Sequence, residues 1–324
     1  MRFVYHEEAR PPAFKDGRMR AFTVATHHEG FLHSLQESAR KYGYDLAVLG
    51  LNEKWKGFVW RWQVLQEALE DLPDDELVLV LDGYDTVITA PAACLEAEYH
   101  TKCDAADRLM FGLEHRKEHC THAFWWLSEV FRRYHSVGAD LPIVNAGVCC
   151  GPVRLVRQLC REMQAAAKAA KESKPDDQRI LNTLNAQHAA DETTGIRVGL
   201  LEGLHCHCER SLWGPLRHLY TNVPYIPEGP VEYEDGKVHV RVGDPGARQG
   251  AFVARAFVVH GIWCTHLGPI CDALGIERPP PADLRKRKIS QVDLRIFVDT
   301  FRCLFALAIV SGVVALVKRG VDDY

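Results

Sequence analysis

The 324-residue sequence has no excess of either charge: 39 Lys and Arg against 43 Asp and Glu leave a formal net charge of −4. Without a general basic field, no nucleic-acid partner is expected. Cysteine pairs at metal-ligand spacing are also lacking. Eleven cysteines are present, but they form no short disulfide framework, and positions such as Cys94, Cys160 and Cys303 read as reduced core thiols. "LHCHCER" (204–210) sets His205, Cys206, His207 and Cys208 side by side, without the spacing of a zinc site, and "HRKEHCTH" (115–122), with three histidines and a cysteine, reads as a loop rather than a zinc site. The N-terminal "MRFVYHEEARPPAFKDG" lacks the apolar stretch of a secretory signal, which predicts synthesis and retention in the cytosol. Internal repeats are missing. No phosphate-gripping Gly-rich loop opens the chain, since "TVATHHEG" stands where a nucleotidyltransferase would need one.

What is present is an alternation of strand and helix patterns. "AFTVAT" (21–26) predicts a strand, "EGFLHSLQESARKYGY" a helix, "DLAVLGL" a strand, "RWQVLQEALEDL" a helix and "ELVLVLD" (76–82) a third strand. The last is apolar throughout, as in a strand covered on both faces, and the series implies a parallel sheet wound with helices. "RLMFGLE" (108–114) and "VNAGVCCGPV" (144–153) predict further strands, with "FVVHGIW" (257–263) a late one. "VRLVRQLCREMQAAAKAAKES" carries the longest helical pattern. "PDDQRILNTLNAQH" begins with proline and acids, as a helix start should. Residues 222–250 read as loops and short strands of the same domain.

Chemistry concentrates where the third strand ends. "LVLVLDGYDTVITAP" (78–92) places Asp82 at the strand's carboxyl end and Asp85 three residues on. Ligands of open α/β sheets bind at that edge. Two carboxylates across one turn suit a hard divalent cation, Mn²⁺ or Mg²⁺, bridged to substrate phosphates. Tyr84 between them can lay its ring on a nucleotide base. The alternative is that both aspartates cap a turn or a helix start.

The ordered set "TVAT", "LGLNEKWKG", "LVLVLDGYDTVI", "FGLE", "VNAGVCCGP", "DDQ" and "VVHG" resembles the glycosyltransferase domain of the procollagen lysyl hydroxylases and, more distantly, the collagen galactosyltransferases. The resemblance implies an α/β fold of GT-A (Rossmann-like) type over residues 1–277, using a UDP-sugar and Mn²⁺ or Mg²⁺. It implies metal ligation by Asp82, Asp85 and His260, with Tyr84 stacking on uracil. Thr23 and Thr26 match the stretch lining the nucleotide, and Arg61 a basic position near the diphosphate. Asp176 and Asp177 match an acidic pair near the sugar, where a carboxylate can serve as base to the acceptor hydroxyl; the alternative for both is a helix N-terminus. Glu114 and Asn145 match polar positions in the cleft. The implied activity is transfer of a hexose to a hydroxyl-bearing protein or glycan, such as hydroxylysine of collagen-like protein. The alternative is an inactive nucleotide- or glycan-binding relative, since Ala146, Val148 and His266 depart from the family's pattern. A tryptophan-proline expected after "FGLE" is also missing.

Residues 278–295, with "LRKRK", form a basic linker. The apolar core after it, Cys303 to Val317, is about 15 residues, below the roughly 20 of a membrane span. Extended over 296–319, it is expected as an apolar C-terminal helix and membrane anchor, basic at both ends. The positive-inside tendency places the catalytic domain in the cytosol; the family resemblance points instead to the secretory lumen.

Overall fold

In this computed structural model, residues 19–82 run through β1 (Met19–Val24), α1 (Leu32–Lys41), β2 (Tyr44–Leu49), α2 (Phe58–Leu69) and β3 (Leu77–Asp82), in the order the sequence predicts. There follow β4 (Thr86–Ile88), α3 (Ala92–Lys102), β5 (Leu109–Leu113), β6 (Val144–Pro152), α4 (Val153–Ala170) and α5 (Asp177–Ala190). The chain closes through β7 (Val198–Leu200), β8 (Leu204–His207), β9 (Val231–Glu234), β10 (Lys237–Val242), β11 (Phe252–Arg255), β12 (Val258–Gly261) and α6 (Gly268–Leu274). The structure describes residues 18–103, 108–113, 143–170, 175–190, 196, 198–201, 203–207, 231–234, 237–242, 252–261 and 267–280. Glu114, the 115–122 histidine cluster, His266, the basic linker beyond residue 280 and the 296–319 segment lie outside them. Among the described residues no helix is long and apolar enough to cross a membrane.

The main sheet has the order β2-β1-β3-β6-β5-β7. β1 pairs in parallel with both β2 and β3, as expected for strands joined by helices. The wholly parallel sheet is corrected beyond that point: β6 runs antiparallel to β3 and to β5, so the sheet is mixed and Rossmann-like. An antiparallel strand covered on both faces is as apolar as a parallel one, and its direction leaves no mark in the sequence.

Both faces are covered. Leu77, Leu79 and Leu81 join the cluster containing Leu35 and Ala39 of α1 and Leu95 and Tyr99 of α3. Val78 and Val80 join Trp62, Leu65 and Leu69 of α2, Val156 and Leu159 of α4 and Leu181 of α5. The two-residue period of a strand thus sorts five consecutive apolar residues onto opposite sides. Arg157 of α4 donates to the carbonyls of Leu69, Glu70 and Leu72, satisfying the end of α2.

A second sheet, β4-β12-β8, lies at the carboxyl end of β3. β4 pairs antiparallel with β12, setting His260 opposite Thr86, and the Gly261 amide donates to Asp85 O at 2.6 Å. β9, β10 and β11 make a three-stranded antiparallel sheet, consistent with short strands in the 222–250 stretch. Ser34 donates to the Glu277 carbonyl and Lys41 to that of Leu274, tying α1 to the segment around α6.

Candidate metal centre

Asp82 ends β3, Asp85 follows across a short turn, and β12 delivers His260 from the other sheet. One ligand atom from each lies within 4.8 Å of the others; among the described residues this is the one such cluster of His, Cys, Asp or Glu. His260 Nε2 is 3.4 Å from Asp82 Oδ2 and 3.3 Å from Asp85 Oδ1. The histidine is buried, while both carboxylates are half-exposed, so the trio has one wall in the protein and one open side.

Asn145 orients the imidazole. Its Oδ1 accepts the Gly147 N–H at 2.7 Å, which fixes that atom as the oxygen, and lies 3.1 Å from His260 Nδ1. An amide oxygen only accepts, so Nδ1 donates to it and Nε2 is the nitrogen that faces the carboxylates. This is the geometry of a ligating histidine held by an outer hydrogen bond. Gly147 makes the room: a Cβ there would stand 2.6 Å from Asp82 Oδ2 and 2.7 Å from His260 Nδ1. Two carboxylate oxygens and one imidazole nitrogen are a donor set that fits a hard or borderline divalent cation such as Mn²⁺ or Mg²⁺.

Behind the trio, Arg61 of α2 is buried. Its Nη1 donates to Asp82 Oδ1, its Nη2 donates to the Ala146 carbonyl at 2.5 Å, and Asp177 Oδ2 lies 3.8 Å from Nη1. Asp177 is brought there by the start of α5, which docks on β6 through amide side chains. Gln178 accepts the Ala146 N–H at 2.7 Å and donates to Val144 O at 2.5 Å; Asn182, one turn on, accepts the Val144 N–H at 2.9 Å. These side chains pair with β6 where it runs on past the end of β3.

Burial pushes the Asp177 carboxyl up; Arg61 lowers it, but Asp82 and Asp176 raise it again, leaving it at about 6 against a usual 3.8. The folded state therefore holds this proton more tightly, and the group's contribution to stability is present at pH 4 and lost as pH rises through about 6. In metal-free protein, Asp177→Asn removes that dependence. The variant's melting temperature relative to the parent is expected to rise between pH 4 and pH 7, and a flat difference would contradict the burial argument.

The other residues expected from the sequence divide. Asp176 accepts the Gln178 and Arg179 amides at 3.0 and 3.4 Å, the geometry of an N-cap. Thr26 and Tyr84 form a second network: the Tyr84 phenol oxygen accepts the Thr26 N–H at 2.7 Å and the His27 N–H at 3.1 Å. Thr23 is buried behind Gly83. Gly30, at φ +58°, allows the Phe31 amide to reach Tyr84 O at 2.9 Å; a Cβ there would sit 2.5 Å from that oxygen. From sequence, Gly147 stands only within "VNAGVCCGP" and Gln178 only as the last residue of "DDQ"; neither carries a role there, nor does Asn182, although a glycine inside a strand signals a close approach. Trp55, part of "LGLNEKWKG", likewise carries none; it is exposed beside Phe58 on the loop whose Asn52 amide bonds Thr26 O.

A family model described as the PLOD GT domain matches residues 15–184, more than half of the chain. A multifunctional procollagen lysine hydroxylase and glycosyltransferase of Caenorhabditis elegans is 29% identical over 135 residues, 39% of this chain and 16% of that protein. The human multifunctional procollagen lysine hydroxylase and glycosyltransferase LH3 is 27% identical over 158 residues, 45% of this chain and 20% of its own length. The chain thus spans a fifth or less of these curated relatives. Among solved structures, the galactosyltransferase LgtC, in complex with donor and acceptor sugar analogs, aligns over 81% of this chain and 98% of its own with a TM-score of 0.44 and 13% identity.

Proposed function

The chain belongs to the PLOD GT domain family, and from that premise we propose a metal-dependent glycosyltransferase of GT-A type that moves a hexose from a UDP-sugar to a hydroxyl group. The observation that carries this reading is the convergence of Asp82, Asp85 and His260 on one point at the carboxyl end of β3. A divalent cation bound there would neutralise charge on the departing diphosphate. Asp82 and Asp85 would hold it from the β3 turn and His260 from β12. Tyr84, fixed through its hydroxyl to the Thr26 and His27 amides, offers a ring for the uracil. Thr26 shapes the neighbouring backbone, and Thr23 supports it from below. Asp176, half-buried at the start of α5, is the carboxylate offered to the acceptor, with Asp177 buried behind it against Arg61. The capping of Asp176 and the ion pair of Asp177 would hold them in place before substrate arrives. The acceptor class is a hydroxyl-bearing protein or glycan, with hydroxylysine of collagen-like protein first to be tried.

The departures at 146 and 148 leave this apparatus in place. Ala146 serves the site through its backbone N–H and carbonyl, which any residue supplies, and Val148 is buried in the core. That favours an active enzyme over an inactive relative. Membrane contact through 296–319 and a cytosolic catalytic domain remain part of the proposal on sequence grounds alone.

UDP is expected to raise the melting temperature only when Mn²⁺ is present. At a hundredfold excess over Kd the gain corresponds to about 2.7 kcal/mol. Asp85→Ala should abolish the gain by removing one ligand, and should fold, because Asp85 is half-exposed and contributes little to the core; an undiminished shift in that variant refutes the metal assignment. A panel of UDP-sugars with Mn²⁺, scored by released UDP with and without collagen peptides, then names donor and acceptor.

A further inference from the structure

The family resemblance gives Arg61 to the diphosphate. The geometry points to another role: we propose that Arg61 is a positioning residue for Asp82, dividing the work of its two carboxylate oxygens. Oδ1 is held by the guanidinium, and Oδ2 is thereby turned toward His260 Nε2, 3.4 Å away. The inference rests on the metal-centre reading above.

Three observations carry it. Arg61 is only 6% exposed and lies on α2 behind the carboxylate, so it has almost no surface left for a substrate phosphate. Its other contacts are internal: Nη2 binds the Ala146 carbonyl, and Nη1 also faces Asp177. The guanidinium lies 5.0 Å from the ring of Trp62, itself fully buried, so the head group is backed by the core. A planar fork that meets a carboxylate and a carbonyl together fixes direction as well as charge, which a lysine ammonium cannot do. Left alone, the Asp82 carboxylate could rotate about its last bond and offer the cation either oxygen or neither.

This role has a sign opposite to plain electrostatics. Removing a positive charge beside a cation site should by itself tighten Mn²⁺ binding. If Arg61 positions Asp82, removing it weakens binding instead. The experiment titrates wild type, Arg61→Lys and Arg61→Gln with Mn²⁺, reading free Mn²⁺ by electron paramagnetic resonance. UDP affinity is then measured at saturating Mn²⁺, and circular dichroism reports the fold.

We expect Mn²⁺ affinity to fall about 10- to 100-fold in both variants, the range typical of lost outer-shell partners. UDP affinity at saturating Mn²⁺ should change by less than about threefold. Arg61→Lys keeps the buried charge, and so decides the matter if Arg61→Gln fails to fold. Unchanged or tighter Mn²⁺ binding in a folded variant overturns the proposal, and a selective loss of UDP affinity would return Arg61 to the diphosphate. If the wild type itself binds no Mn²⁺, the metal-centre reading falls and this inference falls with it; undiminished variants of a Mn²⁺-binding wild type overturn the inference alone.

Discussion

Gly147→Ala is expected to abolish Mn²⁺-dependent stabilisation by UDP while leaving a folded protein. The added methyl group would stand 2.6 Å from Asp82 Oδ2 and 2.7 Å from His260 Nδ1, well inside contact distance. Neither side can yield cheaply. β6 is anchored on either side of Gly147, by Val148 opposite Leu81 of β3 and by Asn145 opposite Gly112 across the register shift with β5, and His260 sits on a strand paired to β4 and β8. The imidazole must therefore rotate away, breaking its bond to Asn145 and withdrawing a ligand. Overpacking of this kind costs about 1–3 kcal/mol of stability. Gly151→Ala supplies the control on the same strand. Its Cβ meets the end of the Leu109 side chain at 2.6 Å, at the end of β6 that pairs with the start of β3, far from the ligands. It should lower stability and keep the Mn²⁺-dependent shift. If both variants keep that shift, the crowding argument is wrong.

Trp62→Ala is expected to be the most destabilising change of those considered, by about 3–5 kcal/mol. The side chain is 1% exposed and stands in the cluster where α2, α4 and α5 meet the sheet. Its indole Nε1 has no hydrogen-bond partner among the described residues. Trp62→Phe gives up no internal hydrogen bond and leaves a smaller gap, so it should cost less than the alanine change. Urea denaturation separates the cases through the midpoint, the slope being unchanged if only stability has moved. A loss below about 1 kcal/mol for Trp62→Ala would mean that the cluster closes over the gap. Because Trp62 also backs Arg61, the alanine variant is expected to weaken Mn²⁺ binding as well.

The alternation of strands and helices up to Asp82 could be read from the sequence because each element there has one strong signal. The runs of β1 and β3 are apolar, and α1 repeats Leu32, Leu35 and Ala39 on one side. Elements without such a signal were missed. β4 has three residues, α3 mixes alanines with acids and a tyrosine, and α6 has seven residues. The direction of β6 was hidden for the reason given above. Of the candidate site, Asp82 and Asp85 could be found because carboxylates after a buried strand are costly without a purpose. His260 could not be joined to them by local pattern; only the resemblance placed it, since its partner strand is β4, far away in sequence. Gln178, quoted only within "DDQ", and Asn182 carry no readable role because an amide bonding a strand edge looks in sequence like any polar helix residue.

The pairing of β12 with β4 bears on where this domain can be divided. The family signature ends at residue 184, yet the imidazole that completes the candidate cation site arrives on a strand much later in the chain. A fragment cut at the edge of the signature would retain both acids and the Asp-Asp-Gln sequence, but would sever α5 partway along. It would have a two-sided cleft with its third wall removed and the β4 edge stripped of the strand that sheathes it. What marks ancestry in this chain is thus smaller than what must fold together for the chemistry to be housed.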